Sequence, residues 1–490
     1  MNYIATFDVG TTAVKGVLVS DSGEVILSHS ETIETIYEGD LIEQKPEDWF
    51  SAFCKIAKIF CREKSAAEIS ALILSGQMQD LIMISQDGSA AMNAILYSDV
   101  RASDQAKRIS EKIGEDVIFT STANRFDGSM PFAKLLWVKE HLPDVFEKTQ
   151  KILISSKDYI LYQLTGAAVS DVVASSTAGL MDIRKKRWNT QWLEAFCLPV
   201  DLLPRLCSPE EKIGTILDSA AAQCGFAPGT PVYAGSGDAG ATTLASGISQ
   251  NGEFNINLGT SGWIACVSDQ PMMKKTVFNL AAIPHHVYVN VVPFFNAGNV
   301  HHWICSVLTE DGKQDEMFSY GSRLLKESTP GSSNLLFLPY LVGERFPVVD
   351  NDIRGAYIGI SPETTKQDLI RAALEGVAFS IRQGLETIGG KPKTISIVGG
   401  GAQENVWCQI LSDMLNHEVM IFPDSEYLPA MALSASVLLD QKKISDYGYF
   451  TNMLSEKRLS RHFYPDTAAA AIYDQVYGRY LRIYTAIKQI

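Results

Sequence analysis

No pair of cysteines in this chain stands at a metal-ligand spacing. The eight, at positions 54, 61, 197, 207, 224, 266, 305 and 408, are scattered and form no CxxC. That excludes zinc ribbons and dithiol redox motifs and leaves small buried apolar side chains in a reducing compartment as their expected role. Excess positive charge is missing as well: 42 Lys and Arg stand against 56 Asp and Glu, a formal net charge of -14. Gripping a phosphate backbone or an anionic membrane needs a basic face, so neither nucleic acid nor membrane is an expected partner. No run reaches the ~18 apolar residues of a membrane span, and Asp8 stands where a signal peptide would carry an uninterrupted apolar stretch; the expected location is cytoplasmic. There is no GxxxxGK[ST], hence no P-loop, and no low-complexity tract.

What is present is a chain of 490 residues, 46% hydrophobic, too long for one ordinary core, so two or more domains and a small-molecule partner are expected. Its most informative feature is an echo. TFDVGTTAVKGVLV from Thr6 returns as NINLGTSGWIACV from Asn255; with Gly10 on Gly259, Asp8 falls on Asn257, Thr11 on Thr260 and Thr12 on Ser261. Two Gly-Thr hairpins can arise independently, since both residues are common at strand turns, but each here leads a half of similar length. The reading is a duplicated α/β architecture with a cleft between the halves. The polar SGISQNGE near residues 245–253 joins them, giving domains 1–246 and 247–490. Helical patterns over Pro46 to Lys64, Thr365 to Leu385 and Glu404 to Leu415 fit that class, as do strand patterns over Ala71 to Ser75, Ile395 to Val398 and Val419 to Phe422.

A glycine turn with Thr hydroxyls can hold phosphate oxygens without a bulky side chain in the way, and Gly10-Thr11-Thr12 and Gly259-Thr260-Ser261 supply those parts twice. Asp8, at a strand end, has the hard oxygens that Mg2+ prefers, while an Asx side chain bracing the turn is its plain structural role. A third cluster, SIVGGGAQENVWCQILSDML from Ser396, runs from a strand through Gly399, Gly400 and Gly401 into a helix. Bare backbone there admits a flat ligand, with Gln403 or Asn405 to read its polar edges, although such turns are also frequent as plain connections. In VYAGSGDAGATTLASG from Val232, Asp238 stands between a strand and a helix of small residues. Taken alone it suits an N-cap first; its functional reading, which the cap need not exclude, is a base that orients an alcohol and accepts its proton late in phosphoryl transfer. The pairs His285-His286 and His301-His302 carry no metal spacing, because adjacent side chains diverge on a helix, and are expected to pack or face solvent.

Together these residues resemble the FGGY family of carbohydrate kinases, within the group of sugar kinases, actin and Hsp70-type ATPases that share two similar ribonuclease H-like domains flanking an ATP and sugar cleft. The resemblance covers nearly the whole chain. SMPFAKLLWVKEH from Ser129 to His141 is similar to the family's first signature, with Pro131, Lys134 and Trp137 at its spacing. GAYIGISPETTKQDLIRAALEG from Gly355 to Gly376 is similar to the second, with Arg371, Ala372 and Glu375. By that resemblance Gly10, Thr11, Thr12 and Lys15 approach the ATP phosphates and Asp8 the Mg2+. Gly259 and Thr260 form the second phosphate turn, Gly400, Gly401 and Asn405 belong to the adenosine motif, and Asp238 is the base.

LIEQKPEDWF from Leu41, SGQMQD from Ser75 and ILYSDVRA from Ile95 are most similar to xylulokinases. This implies a sugar site at Gln77, Met78, Gln79 and Asp99, and D-xylulose as acceptor. Where those kinases read Gly-Gln-Met-His-Gly, this chain has Gln79 and Asp80. A carboxamide exchanges hydrogen bonds with hydroxyls but does not titrate near neutral pH, and an Asp80 facing the pocket would penalise anionic sugars such as gluconate. Another ketopentose, a polyol, gluconate or a linear signalling sugar are the alternative acceptors. A non-catalytic sugar-responsive binding protein and a chaperone-like ATPase are alternatives of another class, against which the intact Asp8 and Asp238 and the long signatures count. Members of the family often form homodimers.

Overall fold

The computed structural model describes residues 2–39, 41–310, 313–422, 427–448 and 460–488. Two mixed sheets of one plan organise it. In the first, β1 (Tyr3–Val9), β2 (Ala13–Ser20) and β3 (Val25–Thr32) form an antiparallel meander. β4 (Ile69–Gly76) runs parallel to β1 on its other side; β6 (Pro231–Gly237) runs parallel to β4, with β5 (Lys212–Thr215) antiparallel at the edge. In the second, β7 (Phe254–Leu258) pairs antiparallel with β8 (Gly262–Ser268), and β8 with β10 (Tyr288–Phe294), while β11 (Thr394–Val398) and then β12 (Glu418–Ile421) follow in parallel. β9 (Phe278–Ala281) and β13 (Arg461–Phe463) extend its edges. A meander followed by two parallel strands, read twice, is the duplicated α/β fold that the echo predicts.

The helices that build the site are α1 (Pro46–Glu63), α2 (Pro131–His141), α3 (Ser156–Thr165), α4 (Asp238–Ala245), α5 (Gly298–Leu308), α6 (Lys366–Ile388), α7 (Asn405–Leu415) and α8 (Leu428–Asp440). Strand period two sorts β1 between two cores: Tyr3, Ala5, Phe7 and Val9 join Trp49, Phe53, Ile56 and Phe60 of α1, and Ile4 joins Val17, Val19, Ala71 and Ile73 on the opposite face. That opposite face is covered by Ala241 and Leu244 of α4 and by Leu428, Met431, Leu433 and Leu438 of α8. The chain thus returns to the first sheet late in the sequence and leaves it again for β13. In the second half Ile256, Leu258, Ile264 and Phe294 pack with α5, α6 and α7.

The long signature over α6 is structural in part. Arg371 pairs with Glu375 at 2.8 Å and donates to Tyr473, while Glu375 also takes the Gly331 N–H and the Ser332 hydroxyl. Six of the cysteines are buried, Cys61 is half-buried, Cys197 is exposed, and all eight are free thiols. Among the described residues no helix is long and apolar enough to cross a membrane.

Candidate active site

Strands β1, β4 and β6 end side by side. Asp8 and Ser236 are both in register with Ser75, and Val9 and Gly237 with Gly76. Asp238 therefore emerges just past the end of β6, separated from Asp8 by the width of β4. A bulge in β6 makes this possible: Gly235 has φ 66°, and a Cβ there would stand 1.8 Å from the Leu74 carbonyl oxygen. Gly237, not Asp238, is the N-cap of α4; Asp238 is the first helical residue, and one of its oxygens accepts the Ala239 N–H at 2.7 Å. Asp8 does not brace its turn either, because its carboxylate accepts the Ser75 hydroxyl at 2.6 Å.

Burial pushes both carboxyls up. Asp238 reaches about 7, with the negative charge of Asp8 adding to the rise and the Ala239 N–H opposing it. The Asp8 carboxyl is also raised, and the Ser75 hydrogen bond and the charge of Lys15, its cross-strand partner, pull it back only in part.

Side chains fasten the first turn from behind. Thr11 donates to Gln77 Oε1 at 2.7 Å, Gln77 Nε2 to Gln44 Oε1 at 2.9 Å, and Gln44 Nε2 to the Thr11 carbonyl at 2.6 Å, with Trp49 Nε1 also on Gln44 at 2.9 Å. Gln77 is buried in this ring, so its carboxamide serves the turn and not an open sugar pocket. Thr12 is exposed.

Backbone fastens the second turn. At the start of α5, Gly298 N–H donates to the Gly259 carbonyl at 2.7 Å and Asn299 N–H to the Thr260 carbonyl at 3.0 Å. Gly399, at φ 95°, lies against Leu258 and Gly259, where a Cβ would come within 2.7 Å of the backbone, so the third glycine cluster meets this turn. Gly401 packs on Leu258 and Trp407, Gly400 opens to solvent, and Asn405 is exposed at the start of α7, accepting from Arg461.

Around the expected sugar site, Met78 covers Gly237, whose absent Cβ would stand 2.0 Å from its sulfur, and packs toward Ala265 and Val289 of the second sheet. Gln79 has φ 67°, a conformation rarely held without external support. The support is Lys134 of α2, which donates to the Gln79 carbonyl at 3.1 Å and the Leu96 carbonyl at 2.7 Å. This gives the first signature its physical meaning. Lys134 is buried, its ammonium pulled down to about 8 by that burial; Pro131 opens the helix that carries it; and Trp137 lies under the Arg101 guanidinium, 5.1 Å from its ring centre.

Asp99, expected at the sugar, is buried with both oxygens engaged. Its oxygens take the Ile42 N–H at 2.8 Å, the Arg101 N–H at 2.9 Å and the Arg101 guanidinium at 2.6 Å. Burial works against its ionisation, but these bonds outweigh it and hold the carboxyl below the usual range. Asp99 thus positions Arg101, which also pairs with Glu43 at 2.9 Å. Asp80 is fully buried; one oxygen takes the Tyr97 N–H at 3.2 Å and the other has no partner, so burial pushes its carboxyl well up. It does not put an exposed charge in the cleft.

Gln44, Arg101 and Ser129 bond directly to candidate residues, and Arg345 stands near Asp127, though the sequence reading did not single them out. Arg345 lies 3.9 Å over the Phe295 ring, with Asp127 of the first half as a charged neighbour. Two adjacent charges inside the apolar FLPYLVGERFP were the available signal. Beside Arg345, Glu344 is buried and accepts from the Phe295 N–H at 2.7 Å and from Asn296. His301 packs against Phe318 and Trp407 and His302 is exposed. No group of three or more metal-ligating side chains occurs among the described residues.

Two like sheets with a Gly-Thr turn at the end of each leading strand, and two carboxylates at the edge of one, define a phosphotransferase of the duplicated ATP-dependent class. A model of the FGGY family of carbohydrate kinases, N-terminal domain, matches residues 3–245, and one of the same family's C-terminal domain matches residues 254–429. The chain belongs to the FGGY family of carbohydrate kinases and is an enzyme that phosphorylates a sugar with ATP as donor. It is similar to the xylulose kinase of Bacillus subtilis (strain 168), 30% identical over 513 residues covering 100% of this chain and 98% of the relative. It is also similar to the gluconokinase of that strain, 28% identical over 467 residues, 92% of this chain and 90% of the relative. Among solved structures, a ligand-bound xylulose kinase from Lactobacillus acidophilus superposes with a TM-score of 0.91 at 25% identity, covering 100% of this chain and 99% of that one.

Proposed function

We propose that this kinase transfers the γ-phosphoryl group of ATP to the terminal hydroxyl of D-xylulose, giving D-xylulose 5-phosphate, with Asp238 as the base. The observation that carries it is the carboxylate of Asp238 at the sheet edge beside Asp8, raised to about 7, where it can orient an alcohol and take its proton as the oxygen bonds to phosphorus and ADP departs. Relatives named xylulose kinase, at 27–30% identity over nearly the whole chain, support the choice of sugar.

Residues 1–246 would carry the sugar and Asp238, and residues 247–490 the adenosine, except that α8 packs on the first sheet. In this reading Gly10, Thr11, Thr12 and Lys15 meet the phosphates from one side and Gly259 and Thr260 from the other. Gly400, Gly401 and Asn405 line the adenosine, and Met78 and Gln79 touch the sugar, while Gln77 and Asp99 act from behind by bracing Thr11 and Arg101. Mg2+ fits the residues present: two neighbouring carboxylates whose protons burial favours are too few for an all-protein cage but suit an ion that keeps waters and phosphate oxygens. Asp8 would hold it, and it would neutralise charge on the transferring phosphoryl group.

Relatives named gluconokinase favour gluconate as the second reading. The test is ADP release with Mg-ATP across D- and L-ketopentoses, polyols, gluconate and a no-sugar blank, with Asp238→Asn as control. Turnover on D-xylulose above all others is expected; a higher rate on gluconate replaces the sugar, and equal rates with and without sugar reject the kinase reading.

A further inference from the structure

Gln79 is oriented by a one-way chain of hydrogen bonds. Its Nε2 donates to the Ser129 hydroxyl oxygen at 2.5 Å, and that hydroxyl donates in turn to Asp127 Oδ1 at 2.5 Å. The same Asp127 oxygen takes the Ser129 backbone N–H at 2.8 Å. An ionised carboxylate can only accept, so the Ser129 proton points at Asp127 and the Ser129 oxygen must accept from Gln79. Asp127 therefore dictates which end of the Gln79 carboxamide faces Ser129. The NH2 end does, and Oε1 is turned elsewhere, taking no hydrogen bond from any described residue. The backbone has little freedom to undo this: Gln79 sits at φ 67° with its carbonyl held by Lys134, and Met78 before it is wedged against Gly237, next to Asp238. Arg345 adds a positive neighbour to Asp127 from the other half of the molecule.

We propose that Asp127 and Ser129 are positioning residues that set the specificity of the sugar site: they present Gln79 Oε1 as an acceptor, so the substrate must offer a hydroxyl there. A neutral ketose or polyol can do so. The carboxylate of an aldonate has no proton to give and is turned away, as sites built around one hydrogen-bond polarity reject the opposite one. The inference rests on the reading that the sugar lies between Gln79 and Asp238. It assigns discrimination against gluconate to the relay, a task the buried Asp80 does not perform through an exposed charge.

The test removes the acceptor that sets the direction of the relay. In Asp127→Ala the Ser129 hydroxyl loses the oxygen that takes its proton; it can then donate to Gln79 Oε1, and the Gln79 NH2 is free to face the sugar. The ratio of kcat/KM for D-xylulose to that for gluconate should fall at least about tenfold, mainly through KM. Ser129→Ala, which only releases the amide, should lower it less. Ser129→Ala carries the test if Asp127→Ala fails to fold. An unchanged ratio in folded variants overturns the relay, and so does a wild type that prefers gluconate to every neutral sugar, although that outcome leaves sugar kinase activity standing. If no sugar stimulates ADP release, the kinase reading fails instead. Calorimetric titration of the same proteins with D-xylulose and gluconate then reads the relay alone: weaker gluconate binding by the wild type, relieved in Asp127→Ala, supports it, and equal preference overturns it.

Discussion

The two glycine turns share one sequence pattern and differ in how they are fastened and charged. In the first, Val9 pairs with Val14 and Asp8 stands opposite Lys15; in the second, Leu258 pairs with Gly262 and Asn257 stands opposite Trp263. The second hairpin is one residue tighter, a difference that an alignment of the echo without gaps conceals. Carboxamides and an indole brace the first turn, whereas peptide N–H groups at the start of α5 brace the second. The first carries an ionisable group beside Asp238 and the second a neutral one. The two halves share the strand plan and differ in the turn's length and charge. A carboxylate is useful where a cation and a proton must be managed, and harmful where only the negative phosphates need to be approached.

Removing the chemistry from the first half should have the largest effect. Asp238→Asn should lower kcat by about 10^3 to 10^4-fold, the scale of losing a positioned base, with ATP affinity measured by titration nearly unchanged; wild-type turnover would exclude Asp238 from the mechanism. Asp8→Asn gives the first turn the residue type of the second. It should cost on the order of 10^2-fold in kcat and raise the Mg2+ needed for half-maximal rate; an unaltered Mg2+ dependence would show that the charge difference between the turns is incidental.

The same pair predicts a pH profile. Asp238 works deprotonated and is pushed up to about 7, so kcat/KM should rise with pH through that value and fall away below it. Asp8→Asn removes one of the charges that raise Asp238, so in its residual activity the midpoint should move to lower pH; a midpoint that stays or rises contradicts the coupling. On the second turn, Gly298→Ala places a Cβ 2.5 Å from the Gly259 oxygen and should raise KM for ATP about tenfold with kcat less affected. Least of all, Asn257→Asp should raise KM for ATP by roughly threefold through added repulsion, more at low salt. A lower KM would mean that the neutral residue is not there to spare the phosphates.

The plan of the fold was legible because its signals are local. Period-two strands, glycine turns and the Thr365–Asp368 capping box that starts α6 all lie within a few residues of what they specify. The echo added the duplication. The site was legible as a set of residues but not as a set of partners. Thr11, Gln44 and Gln77 form one network from three distant segments, Lys134 explains Gln79 only once α2 is docked, and Asp99 is filled by Arg101, two residues away, where the sequence suggested an open acceptor. A side chain's type shows what it needs, and only the fold shows which neighbour meets that need. Asp238 makes the same point at short range: its suitability as a cap was real, but the bulge at Gly235 and the position of Gly237 moved the cap by one residue.

The late return of α8 to the first sheet bears on how the protein is born. A nascent chain that has just passed α4 has all the strands of its first sheet, yet Ile4, Val17, Val19 and Ile73 still lack the cover of Leu428, Met431, Leu433 and Leu438. At roughly 5–20 residues per second, the intervening stretch takes on the order of 10 to 40 s to synthesise. For that interval the first half is an unfinished body with an apolar face open to whatever is nearby, and the second half acts as its tether and its delay. Cutting the gene at the join between the halves should therefore yield an aggregating fragment from the N-terminal side, not a small sugar-binding domain.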